Sequence, residues 1–400
     1  MKRPTARSGN RIAWSLAAFA VLDCGIKTFL TARFYRRAAP QEPRRWPAVT
    51  LIQPITRGVR DLDANVQARM RLSYPGPLQH VLVCDASDTA SLATCREIAG
   101  RFPDQAIDVI TVGTKHGGIA VKTRKLQAAL PQALGEVLGF IDDDVIPEPD
   151  MLRRFVAYLG DADVGAVFGL PWYGSSRTVW SALMSGFFNI HIPPVFATMH
   201  ALAGPFRTIG SVAVYRRHTF AAVKYLDGLE RYIDDDFALT QRLRRHGTKI
   251  MQAPVRYRVS NDIVTPWDYL RLMKRWFTLG RTMMPALTAR QQCVVYATTL
   301  PQLLVPALLA AIALASRRRG PMAASGAGLL AVAIAHSVLE SHHAAGRMPL
   351  RWWLLMPLAA TLPSILAVAD FLGPAEIQWR GRAIKIARDG TFTVITERPG

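Results

Sequence analysis

Two acidic triplets pose the first chemical question of this chain: FIDDDVIPEPDML at 140–152 and YIDDDFALTQRLRRHG at 232–247. Adjacent carboxylates repel one another, so each run needs something to offset its charge. In the first, the apolar VLGFI stretch reads as a buried strand ending in the carboxylates. Asp142 and Asp144 stand at i and i+2, with the intervening residue turned away, and can share one cation. Hard oxygen ligands at that spacing suit Mg2+ or Mn2+, which also take oxygens from substrate phosphates. A solvated turn would carry the same letters. In the second run, the helix-like ALTQRLRRHG follows directly, so the acids sit at a helix N-terminus, where the macrodipole favours negative charge. Two uses are open there. Asp234 and Asp235 cap the helix, or a spare carboxylate acts as a general base toward a hydroxyl.

The surrounding segments say how such groups would be positioned. Short runs rich in β-branched residues occur at 48–55 (AVTLIQPI), 80–88 (HVLVCDASD), 106–113, 137–145 and 163–170. Helix-like stretches at 62–72, 92–102 and 121–134 alternate with them. This rhythm predicts an α/β fold with a parallel sheet covered on both faces. Ligands of such sheets bind at the carboxyl ends of the strands. Asp85 and Asp88 follow one strand and Asp142–Asp144 another, so two acidic groups are expected on one sheet edge.

The chain of 400 residues is half hydrophobic yet carries a formal net charge of +20. Residues 291–316, 320–339 and 352–369 hold no charge, and each approaches the roughly 20 residues needed to cross a bilayer. An integral membrane protein is expected, with its basic part against anionic phospholipid. At the N-terminus, RIAWSLAAFAVLDCGIKTFL lacks a small-x-small cleavage site after its apolar run and reads as an anchor, with Asp23 and Lys27 one turn apart. Residues 182–204 are apolar but interrupted by prolines, histidines and an asparagine. A fourth span there would put the two IDDD runs on opposite sides of the membrane, so an interfacial or re-entrant segment touching lipid is expected instead. Residues 265–284 set Leu270, Met273 and Phe277 against Arg271, Lys274 and Arg281. That pattern fits a helix in the headgroup layer, or an ordinary packed helix. The expected order is an anchor at 1–37, an α/β domain at 45–264, an amphipathic helix at 265–290, about three spans at 291–372 and a basic tail at 373–400. Cys24, Cys84, Cys95 and Cys293 show no metal-ligand spacing and read as free thiols.

The order CDASD, FIDDDVIPEPDML, GSVAVYRRHTF, IDDDFALTQRLRRHG, then KRW before apolar spans, and IQWRGRAIKI at 377–386, resembles the inverting family 2-type glycosyltransferases. Within that group the layout is most similar to ceramide glucosyltransferases and bacterial hopanoid-associated glycosyltransferases, over residues 48–386. The resemblance implies a GT-A, Rossmann-like nucleotide-diphospho-sugar transferase fold with an N-terminal anchor and C-terminal transmembrane helices. It places the uracil-holding aspartate at Asp85 or Asp88, and the diphosphate- and metal-holding pair at Asp142 and Asp144. The acidic pair before the helix falls on Asp235 and Asp236, which makes Asp236 the catalytic base and Asp235 its supporting acid. The (Q/R)xxRW motif matches at Arg275 and Trp276, but Leu272 stands where the family has a polar residue. His191, Gly210 and Ser211 fall in the acceptor-lipid region.

The resemblance further implies transfer of one hexose or N-acetylhexosamine from a UDP-sugar to a lipid hydroxyl, with a divalent cation, Mg2+ or Mn2+. A polyprenyl-phosphate acceptor and a processive polysaccharide synthase are the competing enzymes. A basic membrane-bound binding protein is the competing non-enzyme. Two acidic clusters within one groove argue against nucleic acid as partner, because such a groove should be uniformly positive. Nucleotide sugars are cytosolic, so the catalytic domain is expected in the cytosol, at a bacterial inner (cytoplasmic) membrane. Arg33, Arg36 and Arg37 agree with the positive-inside tendency. Counting simple spans puts Arg317–Arg319 and the WRGR segment outside, against that tendency, unless 291–316, with Pro301 and Pro306, is kinked or re-entrant.

Overall fold

The computed structural model describes residues 6–113, 120–174, 176–260, 263–343, 349–379 and 382–397. Arg380 and Gly381 of the tail motif and the first five residues of the expected anchor lie outside these. In chain order, the first half runs α1 (Ala6–Tyr35), β1 (Val49–Pro54), α2 (Leu62–Met70), β2 (Leu78–Asp85), α3 (Thr89–Arg101), β3 (Ala106–Val112), α4 (Val121–Ala129), β4 (Val137–Ile141), β5 (Val145–Ile146), α5 (Met151–Tyr158) and β6 (Val164–Trp172). Then come α6 (Val179–Ala203), β7 (Val212–Arg216), α7 (Arg217–Ala222), α8 (Asp235–Arg245), β8 (Lys249–Val259) and α9 (Pro266–Thr282). The chain closes with α10 (Ala289–Ala315), α11 (Arg319–His343), α12 (Leu350–Trp353), α13 (Met356–Leu372), β9 (Glu376–Trp379), β10 (Arg382–Ile386) and β11 (Phe392–Glu397).

These elements form two compact units. The sheet unit comprises Arg37–Pro171, Pro205–Ser260 and Ala375–Gly400, and the helical unit Met1–Arg36, Trp172–Gly204 and Asn261–Pro374. Residues 172–204, inside the stretch expected as one α/β domain, thus cluster with the helices. The basic tail supplies a small antiparallel sheet, β11-β10-β9, to the sheet unit.

The main sheet has the order β3-β2-β1-β4-β7-β6-β8-β5. Its first four strands are parallel. β1 (VTLIQP) and β4 (VLGFI) are buried at every position, which explains their unbroken apolar composition, since both sheet faces are covered. The expectation of a parallel sheet fails beyond β4. β7 runs antiparallel, pairing Val212 with Ile141, and β6 pairs antiparallel to β7. β7 enters the sheet at the edge where β4 leaves it, which brings the residues just before β7 beside the first acidic triplet. The sheet is therefore mixed, and the reversal helps assemble the site.

The helical unit explains how prolines sit inside long helices. α6 is continuous through Pro193 and Pro194 and is buried along most of its length. A proline lacks the N–H that would bond the carbonyl four residues earlier. Pro194 releases the Ile190 carbonyl, and the Gln302 side-chain amide donates to it. Pro306 in α10 releases the Gln302 carbonyl, and the His191 Nε2 lies 3.2 Å away. Each helix thus satisfies the group that the other's proline strands. α9 starts with Pro266 behind a Thr265–Asp268 capping box. Near its end, Thr278 donates to Asp370 at 2.6 Å, while Arg281 donates to the last carbonyls of α13. Gly9–Tyr35, Ala289–Ala315 and Arg319–Glu340 are long and apolar enough to cross a membrane, one N-terminal and two C-terminal. The third C-terminal apolar run is split between α12 and the 17-residue α13.

Candidate active site

The first triplet is held from behind by α2. Arg69 is fully buried there and donates to the Gln53 side chain at 2.9 Å and to the carbonyls of Asp142 and Val145. Asn65 donates to the Asp143 carbonyl at 3.1 Å, and the Thr56 backbone N–H donates to the Asp143 carboxylate. Asp143 is thus committed to fixing the turn. The Asp142 N–H donates to the Ser211 carbonyl at 2.9 Å, while the Asp144 carbonyl accepts from Ser260 at 2.8 Å. The triplet is a rigid corner between β4 and β5, gripped on both sides.

The second triplet divides its labour. Asp234 is the N-cap of α8, accepting from the Phe237 N–H at 3.1 Å, and pairs with Arg207 at 2.8 Å. Asp235 accepts from the Thr123 hydroxyl at 2.7 Å. Asp236 is left facing Gly210 and Lys122. A Cβ built on Gly210 would lie 1.4 Å from Asp236 Oδ2, so any side chain at 210 would occupy the carboxylate's place.

Lys122, in the first turn of α4, joins the two runs. Its ammonium lies 2.8 Å from Asp142 Oδ1 and 3.9 Å from Asp236 Oδ2, and donates to the Gly210 carbonyl at 3.0 Å. Lys122 and Asp236 each keep 27% of their side-chain surface exposed, so the group is open to a ligand. Burial alone would lower the Lys122 pKa. The charges of Asp142, Asp236 and Asp235 outweigh it and hold the ammonium well above its ordinary value. Burial pushes the Asp236 carboxyl up to about 8; Lys122 pulls it down, and Asp235 and Asp142 push it up. A carboxyl in that range is a far better proton acceptor than an ordinary aspartate.

The residues present fit a divalent cation. Asp144 Oδ1 is buried without a hydrogen-bond partner, and burial followed by the charges of Asp142 and Asp143 pushes this carboxyl up to about 7. An opposite charge beside it would offset both effects. Among the described residues no group of three or more His, Cys, Asp or Glu side chains could hold a metal. Two carboxylates completed by phosphate oxygens are the arrangement that such a donor set allows.

Asp88 is the N-cap of α3, accepting from Ser91 at 3.3 Å. Asp85 ends β2, and its carboxylate accepts from the Ser87 N–H at 2.9 Å and hydroxyl at 2.7 Å. Ser211 shares a 2.7 Å hydrogen bond with Tyr257. The sheet unit therefore brings Asp142, Gly210, Ser211, Asp235 and Asp236 together. His191, Arg275 and Trp276 belong to the helical unit. His191 lies between the carbonyls of Phe187 and Gln302, and Trp276 packs on Phe187 and Phe188. Leu272, the departure from the family motif, packs against the same apolar cluster.

Lys122 and Arg69 were not expected from the sequence, though each left a signal there. A lysine in a helix's first turn opposes the macrodipole and needs an anionic partner. Arg69 shares a helix face with Leu62 and Val66, an apolar stripe where a guanidinium must find acceptors.

A family model for glycosyl transferase family 21 matches residues 12–392. The chain belongs to glycosyl transferase family 21. It is a glycosyltransferase, and its mixed sheet is of the GT-A kind. Among solved structures, a mannosyltransferase, PcManGT from Pyrobaculum calidifontis in complex with GDP-Man and Mn2+, is 21% identical. It aligns with a TM-score of 0.54 over 91% of this family 21 chain and 99% of its own. S. aureus TarS, residues 1–349, aligns at 14% identity and a TM-score of 0.40, over 88% of this chain and 97% of that one. The first likeness is one of fold. A search of curated proteins found no match.

Proposed function

We propose that this family 21 member transfers one hexose or N-acetylhexosamine from a UDP-sugar to the hydroxyl of a membrane lipid, such as ceramide or a hopanoid, with inversion. The observation that carries the reading is the convergence on Lys122: one carboxylate from a strand end and one from a helix start, held by a single cation. Asp236 removes the proton of the acceptor hydroxyl as its oxygen forms the new bond to the anomeric carbon. The bond from that carbon to the diphosphate breaks, and the electron pair leaves with UDP. Asp235, fixed by Thr123, maintains the negative surroundings that keep Asp236 basic. Lys122 and Arg275 supply positive charge toward the departing diphosphate. Asp142 and Asp144 would hold Mg2+ or Mn2+, which supplies Lewis-acid charge neutralisation when bound. That PcManGT was solved with GDP-Man and Mn2+ supports a nucleotide-sugar donor and a divalent cation. Of the two candidates for the uracil contact, Asp85 is favoured, because Asp88 is buried under the start of α3 whereas Asp85, at the end of β2, is only partly buried.

The three long apolar helices support membrane association. We place the sheet unit in the cytosol at a bacterial inner membrane, against anionic phospholipid, because the donor is cytosolic. His191, Gly210, Ser211 and the α9 helix are assigned to the approach of the lipid headgroup, and Trp276 to the donor side with Arg275. The test is direct. Purified protein is given radiolabelled UDP-glucose or UDP-N-acetylglucosamine, a divalent cation and candidate lipid alcohols. The expected outcome is a glycolipid of inverted anomeric configuration; transfer only to polyprenyl phosphate, or none to any lipid, would reject the reading.

A further inference from the structure

The helical unit holds a partly open cavity of about 30 Å3 bounded by α1, α6, α10 and α11, which no step of sugar transfer uses. Most of its wall is apolar, but Asp23, Lys27, Gln302 and His336 also line it. Asp23 and Lys27 pair at 2.8 Å, and Lys27 donates again to the Thr298 carbonyl at 2.7 Å. His336 is 1% exposed, and neither ring nitrogen has a hydrogen-bond partner. The closest acid, Glu340, has Oε1 4.0 Å from Nε2, beyond hydrogen-bond reach. Gln302 is 8% exposed; its amide nitrogen serves Ile190, and its Oε1 is left without a partner.

Asp23 lies near the middle of the Gly9–Tyr35 span and Gln302 near the middle of Ala289–Ala315. At such positions polar groups lie at hydrocarbon depth, and ionisable ones mark functional sites by default. We propose that this cavity binds the neutral hydroxyl or amide group of a membrane lipid. A neutral imidazole offers one donor and one acceptor, and Gln302 Oε1 adds an acceptor. A hydroxyl or amide, carrying both a donor and an acceptor, answers that set. The Asp23–Lys27 pair is already balanced, and Glu340 stands beside His336, so an anionic headgroup has no counter-charge. The volume holds about two water-sized groups and excludes a sugar ring. Phe19, at the margin, is 44% exposed on α1, so the apolar wall continues to the outside of the helix bundle. A polar group carried on a hydrocarbon chain fits such a pocket. The pocket belongs to the helical unit alone, and its ligand need not be the lipid that accepts the sugar.

The full chain in phosphatidylcholine nanodiscs, whose lipid has neither hydroxyl nor amide, is photolabelled with diazirine-bearing hexadecanol and, separately, with diazirine-bearing hexadecane. The alcohol should crosslink to the cavity-lining turns of α1, α10 and α11, and the alkane should not concentrate there. His336→Phe and Gln302→Leu should each lower alcohol labelling by about tenfold, the loss expected for one buried hydrogen bond. UDP binding at the wild-type level certifies folding of each variant. If either misfolds, Phe19→Trp narrows the margin without touching a polar group and should give the same loss. Equal labelling by the two probes, or labelling indifferent to all three substitutions, overturns the proposal and leaves water as the occupant.

Discussion

The two IDDD runs are spelled alike and built differently. In the first, the backbone does the holding. Asp142 and Asp144 lend main-chain groups to the corner between β4 and β5, Arg69 grips it from behind, and Asp143 spends its side chain on the backbone just after β1. In the second, the side chains divide the work: a helix cap that also pairs with Arg207, a bond to Thr123 and an open carboxylate. An acid's role thus follows from what already satisfies it. Asp236 and Asp144 are the two whose carboxyl oxygens are least committed within the protein, and both are pushed up by burial, to about 8 and about 7.

The sharpest way to break the comparison is to exchange open for committed acids. Asp236→Asn keeps shape and removes the proton acceptor; turnover should fall by about 10²–10⁴-fold while UDP-sugar binding is kept. Purified enzyme in detergent, measured by transfer and by calorimetric titration, checks both halves, and retained turnover would remove Asp236 as the base. Asp144→Ala should act on the other side of the reaction. UDP binding in the presence of Mg2+ or Mn2+ should weaken by about 10–100-fold, as expected for losing a metal-site residue. Binding in EDTA should scarcely change. Identical titrations with and without the metal in the parent enzyme would reject a cation at this corner.

Much of this arrangement was legible in the letters, for particular reasons. VLGFIDDDV had to be a strand with acids at its end, because a near-continuous apolar run followed by charge has few other folded solutions. Asp85 and Asp88 were placed on the same edge by the same argument, but the sequence did not separate them. Both carboxylates are tied to nearby serines, and the difference is one of burial, which only the packing of α3 decides. Lys122 was hidden because its partners are 20 and 114 residues away, and only the strand order brings them to it. The reversal of β7 was hidden for a related reason. GSVAV reads as a strand in either direction, and its antiparallel pairing with β4 is decided by partners distant in sequence. How α6 runs on through Pro194 was hidden because the Ile190 carbonyl that this proline strands is answered from α10, which no local pattern reveals.

Lys122 offers a finer cut, because it touches both runs at once. Its charge lowers the Asp236 pKa, so Lys122→Met should move that pKa further up. The working base is the deprotonated form, so kcat/KM falls as pH drops through the pKa, and this limb should shift toward higher pH in the variant, by about one unit. At neutral pH the variant should therefore be slower than the parent by about tenfold and regain ground at high pH. A limb that stays in place would mean that the titrating group is not Asp236.

The smallest effect should come from Asp234, and its smallness is informative. Replacing an N-cap aspartate with alanine costs about 1 kcal/mol of stability, and the Arg207 pair adds little at a partly exposed position. Asp234→Ala should lower the apparent unfolding midpoint in detergent, while Asp234→Asn, which still caps, should recover most of it. Turnover per folded molecule should stay within about threefold of the parent in both, since a helix cap paired with Arg207 touches no reacting atom. The neighbours would then separate cleanly: loss of stability at 234, loss of chemistry at 236. Should Asp234→Ala lose turnover as steeply as Asp236→Asn, the second triplet works as one charged unit, and the division of labour drawn from its hydrogen bonds is wrong.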